Sequence, residues 1–581
     1  MIKINNLSFT YPGANEPTLN NISLHIEKGD FVAIVGNNGC GKSTLCKTLN
    51  GLIPNFIVGD MDGTIEMEGQ NTSEMEIGDL ALKVGYVYQD FENQIVCPKV
   101  LDDASLACLN YAYPDYLEKG KNALIMCGLS NKMEDYIWQM SGGQKHLLAL
   151  AGATALSPDV LILDEPIAQL DPTHARQIYD ILKDLNERFG KTIIVIEHHT
   201  EFIAKYCKNV VLLKNGEVKW MLDTKSALRR VEELEASSIF PPQITIASYI
   251  LQKQNVIAQN VLLPISLEEG ETLFSNMKYY EENESIEKNK SIEKNKPMEK
   301  NKIIEKNSRD SKENIVRFEK VSVQYRAFKG EPVEIMKELS LNIHRGEKIA
   351  LIGSNGAGKS TLMKLMIGLL KPSKGEMFLE NKPVESISFE RISSVVSLVY
   401  QNPEQMFIKD SIRKDIEYAM KTRSIPDYKK RTDELLEMFH LKNLAQRDGR
   451  LLSGGQMRRA SLAIGIALKP KMLLLDEPTA NLDIATRKEI MNTLILLKDV
   501  TETVVIATHD MQLVCDWADR IIVLQSGEVI ADGTREDIFN NEIVKSKVGI
   551  RAPEIVEMGQ LLNMKKQCFT INEFVSRFVT S

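Results

Sequence analysis

Short apolar runs bounded by polar and helical segments recur along the 581-residue chain. In the first half these runs are Phe31–Val35, Val160–Leu163, Ile193–Ile196 and Val210–Leu213. The second half repeats them as Ile349–Ile352, Met472–Leu475, Val504–Ala507 and Ile521–Leu524. Apolar runs of this length that alternate with helical segments are typical of strands in a largely parallel sheet. The pattern predicts an α/β fold present in two copies.

The repeat covers nearly the whole chain. Lys42 recurs as Lys359, and the pair Asp164-Glu165 recurs as Asp476-Glu477. The tails also match, because helical stretches open at both Pro242 and Pro553. Each half is therefore expected to be a core domain with a small C-terminal helical appendix. The predicted boundaries are 1–235 and 236–280 in the first half, and 313–547 and 548–581 in the second.

A low-complexity tract, 281–312, joins the two halves. It contains the hexamer SIEKNK twice in succession and carries eight acidic and nine basic residues, so it is nearly neutral. Its six-residue period gives a helix no continuous apolar seam. A disordered, flexible linker is the favoured interpretation, and a solvated single helix is the alternative.

Composition narrows the function classes. A net charge of −8 provides no general basic field, so no nucleic acid partner is expected. The eight cysteines include no C-x-x-C pair, which favours incidental thiols in a reducing compartment. The N-terminus has no pattern of a secretory signal, and no run approaches 18 apolar residues. Any membrane role would therefore require docking to another protein.

Both halves contain the pattern G-x-x-x-x-G-K-[ST] directly after an apolar strand and before a helical run. In this pattern backbone N–H groups cradle phosphates, the lysine adds positive charge, and the hydroxyl ligates Mg²⁺. The predicted phosphate loops are Gly36, Asn37, Asn38, Gly39, Cys40, Gly41, Lys42, Ser43, Thr44 and Gly353, Ser354, Asn355, Gly356, Ala357, Gly358, Lys359, Ser360, Thr361. The sequence thus predicts two nucleotide-binding sites.

Each half also has an apolar strand that ends in two adjacent carboxylates, Asp164-Glu165 and Asp476-Glu477. The first carboxylate of each pair suits Mg²⁺, which prefers oxygen ligands in octahedral geometry. The second can orient and deprotonate an attacking water.

A third motif lies 23 residues before the aspartate of each pair. Its two copies are Ser141, Gly142, Gly143, Gln144 and Ser453, Gly454, Gly455, Gln456. The order and spacing of these motifs resemble the ATP-binding cassette (ABC) ATPases, and SGGQ is similar to their signature. The resemblance implies two P-loop NTPase domains of the ABC type in tandem, each with a helical signature subdomain.

The resemblance assigns further residues. Tyr11 and Tyr325 resemble the aromatic residue that stacks on adenine, and Gln89 and Gln401 resemble the Q-loop glutamine. Asp171 and Asp483 resemble the end of the D-loop, and His198 and His509 resemble the switch histidine. The implied catalytic residues are Glu165, Glu477, His198 and His509. The implied Mg²⁺ ligands are Ser43, Gln89, Asp164, Ser360, Gln401 and Asp476.

In this family two cassettes pack head to tail, so that ATP lies between the phosphate loop of one and the signature of the other. The resemblance implies that the two halves of this chain pair in this way. One site would join Lys42, Ser43, Asp164, Glu165 and His198 to Ser453 and Gly455. The other would join Lys359, Ser360, Asp476, Glu477 and His509 to Ser141 and Gly143. Both sites keep the full set and are expected to be competent.

Cys40 stands inside the first phosphate loop, near a helix N-terminus that is expected to lower the pKa of a thiol. One hypothesis is therefore that alkylation inhibits this site and that ATP protects it. The alternative is an inert side chain that points away from the site.

The segment Gln401–Phe407, QNPEQMF, resembles the QNPxxQxF segment of energy-coupling factor (ECF) transporter ATPases. The segment after Gln89 is a looser version without the proline, and Phe9–Ser23 and Leu49–Ile57 are also similar to this group. The resemblance implies a peripheral protein on the cytoplasmic face of the cell membrane. It would power uptake of a vitamin, a vitamin precursor or a transition-metal ion through a membrane T-component and a substrate-binding S-component.

Two alternatives remain. The first is a cytosolic F-type tandem ABC ATPase that acts on ribosomes. That family usually has Glu where this chain has Gln144 and Gln456, and a basic helical linker. The second is a tandem sugar-import ATPase, which usually has one degraded site.

Overall fold

The structure is a computed structural model that describes residues 1–167, 170, 172–280, 313–325, 333–479, 484–497 and 500–579. They form two compact units. The first unit comprises residues 1–279, 557–564 and 571–579, and the second comprises the described residues of 280–556 and 565–570. The charged tract 281–312 and the D-loop residues Asp171 and Asp483 lie outside the described residues.

The first unit contains the elements of the first half of the chain. Its strands are β1 (Ile2–Thr10), β2 (Leu19–Ile26), β3 (Phe31–Val35), β4 (Asp60–Met67), β5 (Gln70–Asn71), β6 (Val84–Val87), β7 (Val160–Asp164), β8 (Thr192–Ile196), β9 (Asn209–Lys214) and β10 (Glu217–Asp223). Its helices are α1 (Lys42–Leu49), α2 (Leu52–Asn55), α3 (Ile77–Lys83), α4 (Val100–Asn110), α5 (Tyr116–Met126), α6 (Gly142–Thr154), α7 (Pro172–Glu187), α8 (Thr200–Tyr206), α9 (Thr224–Leu228), α10 (Val231–Glu235), α11 (Gln243–Lys253) and α12 (Leu267–Phe274).

The second half repeats this series. Its strands are β11 (Asn314–Tyr325), β12 (Val333–His344), β13 (Lys348–Ile352), β14 (Lys374–Leu379), β15 (Lys382–Pro383), β16 (Val396–Val399), β17 (Met472–Asp476), β18 (Thr503–Ala507), β19 (Arg520–Gln525) and β20 (Glu528–Gly533). Its helices are α13 (Lys359–Met366), α14 (Phe389–Val395), α15 (Ile412–Thr422), α16 (Tyr428–Met438), α17 (Gly454–Gly465), α18 (Ile484–Leu496), α19 (Met511–Trp517), α20 (Arg535–Phe539), α21 (Glu542–Val548), α22 (Glu554–Leu561) and α23 (Ile571–Ser576).

The larger sheet of the first unit has the order β10-β9-β3-β8-β7-β6. Strands β3, β6, β7, β8 and β9 run parallel, and β3, β7 and β8 are buried along their whole length. In the second unit the order is β16-β17-β18-β13-β19-β20. Because β3 and β7 both pair with β8 in parallel, the carboxyl ends of these three strands lie at the same edge of the sheet. The chain segments that follow β3, β7 and β8 therefore emerge at that edge. The predicted tandem α/β fold is confirmed.

A smaller antiparallel sheet accompanies each large one, with the order β2-β1-β4-β5 in the first unit and β12-β11-β14-β15 in the second. In the first unit, α4, α5 and α6 also pack on one another as a helical group. This group carries the SGGQ segment at the start of α6.

The last helix of the chain packs on the helices that follow the core domain of the first half. Helix α23 packs on α11, and the ring of Phe574 lies 5.0 Å from that of Phe274 at 87°. Phe578 also contacts Phe274, at 5.3 Å between ring centroids. The repeat in the sequence predicts that 548–581 belongs to the second half, whereas residues 557–564 and 571–579 group with the first unit. The domain boundaries themselves stay a prediction.

Within the described ranges, no helix combines the length and the apolar character needed to cross a bilayer.

Candidate active site

The phosphate loop of the first unit turns sharply from β3 into α1. Gly41, directly before the helix, has φ 104°, and a Cβ there would lie 2.8 Å from the carbonyl oxygen of Thr18. Only glycine fits this backbone and this close approach. Buried Lys42 reaches back along the loop, and its Nζ donates to the carbonyls of Gly36 (2.8 Å) and Asn37 (3.0 Å). The loop therefore holds a fixed positive charge at its centre.

The second loop repeats this geometry. Gly358 has φ 104°, and Nζ of Lys359 donates to the carbonyls of Gly353 (2.7 Å) and Ser354 (3.2 Å). The amine of Lys359 also lies 3.5 Å from Nε2 of His509. Two loops of equal shape, each at a helix N-terminus, can bind phosphate groups.

The first carboxylate of each pair lies beside the loop hydroxyl. The Ser360 hydroxyl donates to Oδ2 of Asp476 at 3.0 Å. In the first unit Asp164 accepts from Tyr86 at 3.3 Å, and a hydrogen bond from Ser43 also reaches it. Burial is the main cause that raises the pKa of both Asp164 and Asp476.

A Mg²⁺ ion fits the oxygen donors at this place. Oδ1 of buried Asp164 has no hydrogen bond partner among the described residues, although the carboxyl group is directed toward the loop hydroxyl of Ser43. A hard cation that takes carboxylate and hydroxyl oxygens would satisfy this oxygen.

The second carboxylate of each pair lies on strained backbone. Glu165 has φ 49° and Glu477 has φ 46°, in the left-handed region that non-glycine residues rarely adopt. Such strain costs about 1–3 kcal/mol per residue and concentrates at functional sites. The turn directs both glutamates to the sheet edge at which the phosphate loop lies.

Glu165 connects the Q-loop glutamine to the switch histidine. Its Oε2 accepts from Nε2 of Gln89 at 2.8 Å, and its Oε1 lies 3.2 Å from Nε2 of His198. Burial raises the pKa of Glu165, but the hydrogen bond with His198 and nearby positive charges outweigh it and hold the pKa below its ordinary value. The structure thus brings Lys42, Ser43, Gln89, Asp164, Glu165 and His198 together.

Glu477 has different partners. Its Oε1 lies 3.2 Å from Nε2 of His509, but its Oε2 accepts from the backbone N–H of His509 at 3.3 Å. Gln401, at the position equivalent to Gln89, is exposed, as Gln89 is. Burial raises the pKa of Glu477 above its ordinary value.

The SGGQ segments form helix caps. Ser141 and Gln144 make reciprocal side-chain to backbone hydrogen bonds at the start of α6, at 3.3 and 3.0 Å. Ser453 and Gln456 form the same capping box at the start of α17. Such a cap stabilises the helix start and leaves its first N–H groups directed outward.

The two predicted adenine-stacking tyrosines differ. The Tyr11 hydroxyl lies 3.2 Å from Oγ1 of Thr44 in the phosphate loop, and its ring packs edge-on against Phe9. Tyr325 ends β11 and is 41% exposed. Tyr11 is therefore tied to the loop, whereas Tyr325 presents an open ring surface.

The expectation of a lowered thiol pKa at Cys40 is wrong. Burial raises the pKa of Cys40 above its ordinary value, although the charge of Lys42 opposes this effect. The desolvation of the thiolate outweighs the helix N-terminus. Cys40 is thus a poor nucleophile, in agreement with the inert alternative. All eight cysteines are free.

Sequence reasoning missed the side chains that tie the Q-loop to the signature helix. In the first unit the ring of buried His146 stacks on Phe91 at 4.4 Å, and Lys145 pairs with Glu92 at 2.7 Å. In the second unit buried Arg458 donates to the carbonyl oxygen of Tyr400 at 3.0 Å. The repeat aligns His146 with Arg458 two positions after each SGGQ, so this difference is visible in the sequence.

Each half also has a buried carboxylate that the sequence pattern does not reveal, Asp103 in the first and Asp415 in the second. Oδ1 of Asp103 accepts from the backbone N–H groups of Val96 (2.8 Å) and Cys97 (2.9 Å). In the same way, Oδ1 of Asp415 accepts from the backbone N–H groups of Ile408 and Lys409, both at 2.8 Å. Each holds the segment after the Q-loop on the first helix of the helical group.

The fold and these sites define a P-loop ATPase with two nucleotide-binding cassettes. A family model described as "ABC transporter" matches residues 19–168 and 336–480. An ABC transporter ATP-binding protein of Methanosarcina mazei is 30% identical over 98% of this chain and 95% of its own length. One from Methanosarcina acetivorans is 30% identical over 95% of this chain and 89% of its own.

Solved structures also match. The structure of cbiO1 from Clostridium perfringens, described as part of the ABC transporter complex cbiONQ, is 32% identical. It covers 43% of this chain and all of its own, with a TM-score of 0.37. On the family model and the full-length relatives, the chain belongs to the ABC transporter ATP-binding family, and it binds and hydrolyses ATP.

Proposed function

We propose that the chain hydrolyses ATP at two competent sites to power ECF-type uptake through separate membrane subunits. The observation that carries the two-site proposal is the repeat of the whole constellation: a lysine over each phosphate loop, a hydroxyl by each aspartate, and a histidine by each strained glutamate. No member of this set is replaced in either half.

The residues divide the work of phosphoryl transfer to water. Lys42 and the loop N–H groups hold the β- and γ-phosphates and stabilise the charge on the γ-phosphoryl group. Glu165 accepts a proton as water attacks the γ-phosphorus and the bond to the bridging oxygen of ADP breaks. His198 holds the γ-phosphate and orients the water. Lys359, Glu477 and His509 perform the same steps in the second half.

Ser43, Asp164 and Gln89 would hold Mg²⁺ in the first half, and Ser360, Asp476 and Gln401 in the second. The ion would neutralise part of the phosphate charge. This assignment is supported by the oxygen donors that converge beside each phosphate loop.

We infer from the family resemblance that the signature of the other half would complete each site. Ser453 and Gly455 would complete the site of Lys42, and Ser141 and Gly143 that of Lys359. A Cβ on Gly142 or Gly454 would meet no described atom within 4 Å, so the first turn of α6 and of α17 is open at these positions, whereas a Cβ on Gly143 would lie 2.7 Å from the ring of His174. The N-terminus of a helix also attracts the charge of a phosphate.

The ECF assignment is supported by the QNPEQMF segment, Gln401–Phe407. The partners would be a membrane T-component and a substrate-binding S-component, with this chain on the cytoplasmic face of the membrane. The cargo would be a vitamin, a vitamin precursor or a transition-metal ion.

A pull-down of the tagged full-length chain from detergent-solubilised membranes tests this assignment. We expect an integral membrane protein and a small substrate-binding membrane protein to be recovered, and the recovered complex to hydrolyse ATP. A Lys42→Ala and Lys359→Ala double variant should recover the same subunits without ATPase activity. Recovery of ribosomes would support the F-type alternative, and recovery of sugar-permease subunits would support the sugar-import alternative.

A further inference from the structure

A buried glutamate precedes the switch histidine of the first unit. Glu197 follows β8 and is 2% exposed. Its Oε1 accepts from the backbone N–H groups of His198 (2.8 Å) and His199 (2.9 Å). Its Oε2 accepts from the hydroxyl of buried Tyr179 on α7 at 2.8 Å. The carboxylate therefore fixes the backbone on which the switch histidine lies.

The described residues of the second unit lack this arrangement. The repeat places Thr508 where the first half has Glu197, and Met491 where it has Tyr179. Both partners of the buried pair are thus replaced together. The backbone N–H of His509 donates instead to Oε2 of Glu477 at 3.3 Å, and the Thr508 hydroxyl also hydrogen bonds to Glu477.

The two catalytic carboxylates consequently have different neighbours. Oε2 of Glu477 is engaged by the backbone of its own switch loop. Oε2 of Glu165 is engaged by Gln89 at 2.8 Å, and Oε1 by the imidazole of His198 at 3.2 Å. In the first half the corresponding backbone N–H groups are already taken by Glu197.

We propose that Glu197 is a positioning residue of the first ATP site, which keeps the switch-loop N–H groups off Glu165 and so reserves that carboxylate for Gln89 and His198. The inference rests on the proposed roles of Glu165 and His198. It makes the two sites of one chain unequal, because among the described residues the N–H of the switch histidine is held by Glu197 in the first half and by Glu477 in the second.

A paired exchange tests this proposal. The double variant Glu197→Thr with Tyr179→Met gives the first half the residues of the second. We expect the rate at the first site to fall about tenfold, the effect of one hydrogen bond to a charged group. The kcat of the full-length protein should fall by less than this factor, because the second site is unchanged. The KM for ATP should change less than about twofold, because Glu197 does not touch the nucleotide.

Conservative variants separate positioning from packing. Glu197→Gln keeps an oxygen that can accept from both N–H groups and should retain at least about half of the wild-type kcat. Tyr179→Phe removes only the bond to Oε2 and should behave in the same way. Equal losses of kcat in Glu197→Gln and the paired exchange would overturn the proposal, as would an unchanged kcat in a folded paired exchange.

The reverse exchange keeps the proposal testable if the first variant fails to fold. Thr508→Glu with Met491→Tyr should remove the His509 N–H from Glu477 and raise kcat by about twofold or more. A folded reverse variant with unchanged or lower kcat would contradict the proposal. Glu165→Gln is measured in parallel: full activity in that variant would refute the proposed role of Glu165 itself. A severe loss there with no effect of either exchange would refute only the role of Glu197.

Discussion

At the residue scale, substitution of a signature glycine should change ATPase activity without lowering the stability of the protein. Gly142 opens α6, and a Cβ there would meet no described atom within 4 Å. Gly142→Ala should leave the melting temperature unchanged or slightly higher, since alanine favours helix. Its ATPase activity should fall, because the added methyl group would stand between the signature backbone and the nucleotide of the one site that this signature is proposed to complete.

Gly152, on the same helix, provides the matched control, because a Cβ there also meets no described atom within 4 Å. Gly152→Ala should keep both the melting temperature and the ATPase activity. Equal activity of the two variants would remove the support for nucleotide contact at Gly142.

The buried imidazole of His146 should make the stability of the first unit depend on pH. Burial lowers the pKa of His146 to about 4, so the folded protein disfavours its charged form. In an unfolded chain the pKa is about 6.5. The neutral imidazole of His146 therefore contributes about 3 kcal/mol to the free energy of unfolding above about pH 6.5. This contribution is lost as the pH falls toward 4.

Thermal unfolding between pH 7 and pH 5 measures this effect. His146→Leu should flatten the decline in melting temperature of the first unit as the pH falls, because the variant has no imidazole to protonate. His25→Asn, at an exposed position, is the control and should follow the wild type. The same decline in His146→Leu and wild type would contradict the account.

At the element scale, the segment after each Q-loop depends on one carboxylate. Asp103→Ala removes the acceptor of two N–H groups and should lower the free energy of unfolding by about 2 kcal/mol. Asp103→Asn keeps an acceptor oxygen and should lose less than half as much. Denaturant unfolding of the full-length protein decides between these outcomes. Equal losses in both variants would mean that the side chain acts by packing alone.

Motif positions could be read from the sequence because each motif is local and sits at the end of an element. Lys42 must begin a helix, and Asp164 must end a strand, for the phosphate chemistry to work. The contacts that distinguish the halves join distant positions instead: Glu197 to Tyr179, and His146 to Phe91. No periodicity or spacing encodes these contacts, and only the comparison of repeat positions could have pointed to them.

At the scale of the whole molecule, the end of the chain stabilises the appendix of the first unit. Phe574 is fully buried against Phe274. Phe574→Ala should destabilise the first unit by about 3–5 kcal/mol, as expected for a large aromatic removed from a core. Phe389→Ala, at a position that is 56% exposed, is the control and should have little effect. Calorimetry of the full-length chain measures both, and an unchanged transition in Phe574→Ala would contradict this packing.

The fold of each half can be predicted from the repeat, but the unit on which the last helix packs cannot. Sequence alone assigns α23 to the second half by position in the chain. The structure groups it with the first unit, because its apolar face is buried against α11 and α12. Amphipathic helices at the end of a chain do not specify which core they cover.

We propose that one chain contains two competent ATP sites. Steady-state ATPase assays of full-length Glu165→Gln, Glu477→Gln and the double variant test it most directly, with Glu404→Gln as an exposed control. Each single variant should have a measurably lower kcat than the wild type, and the double variant should be inactive, because each glutamate acts on the water in its own site. Full activity in either single variant would contradict the claim.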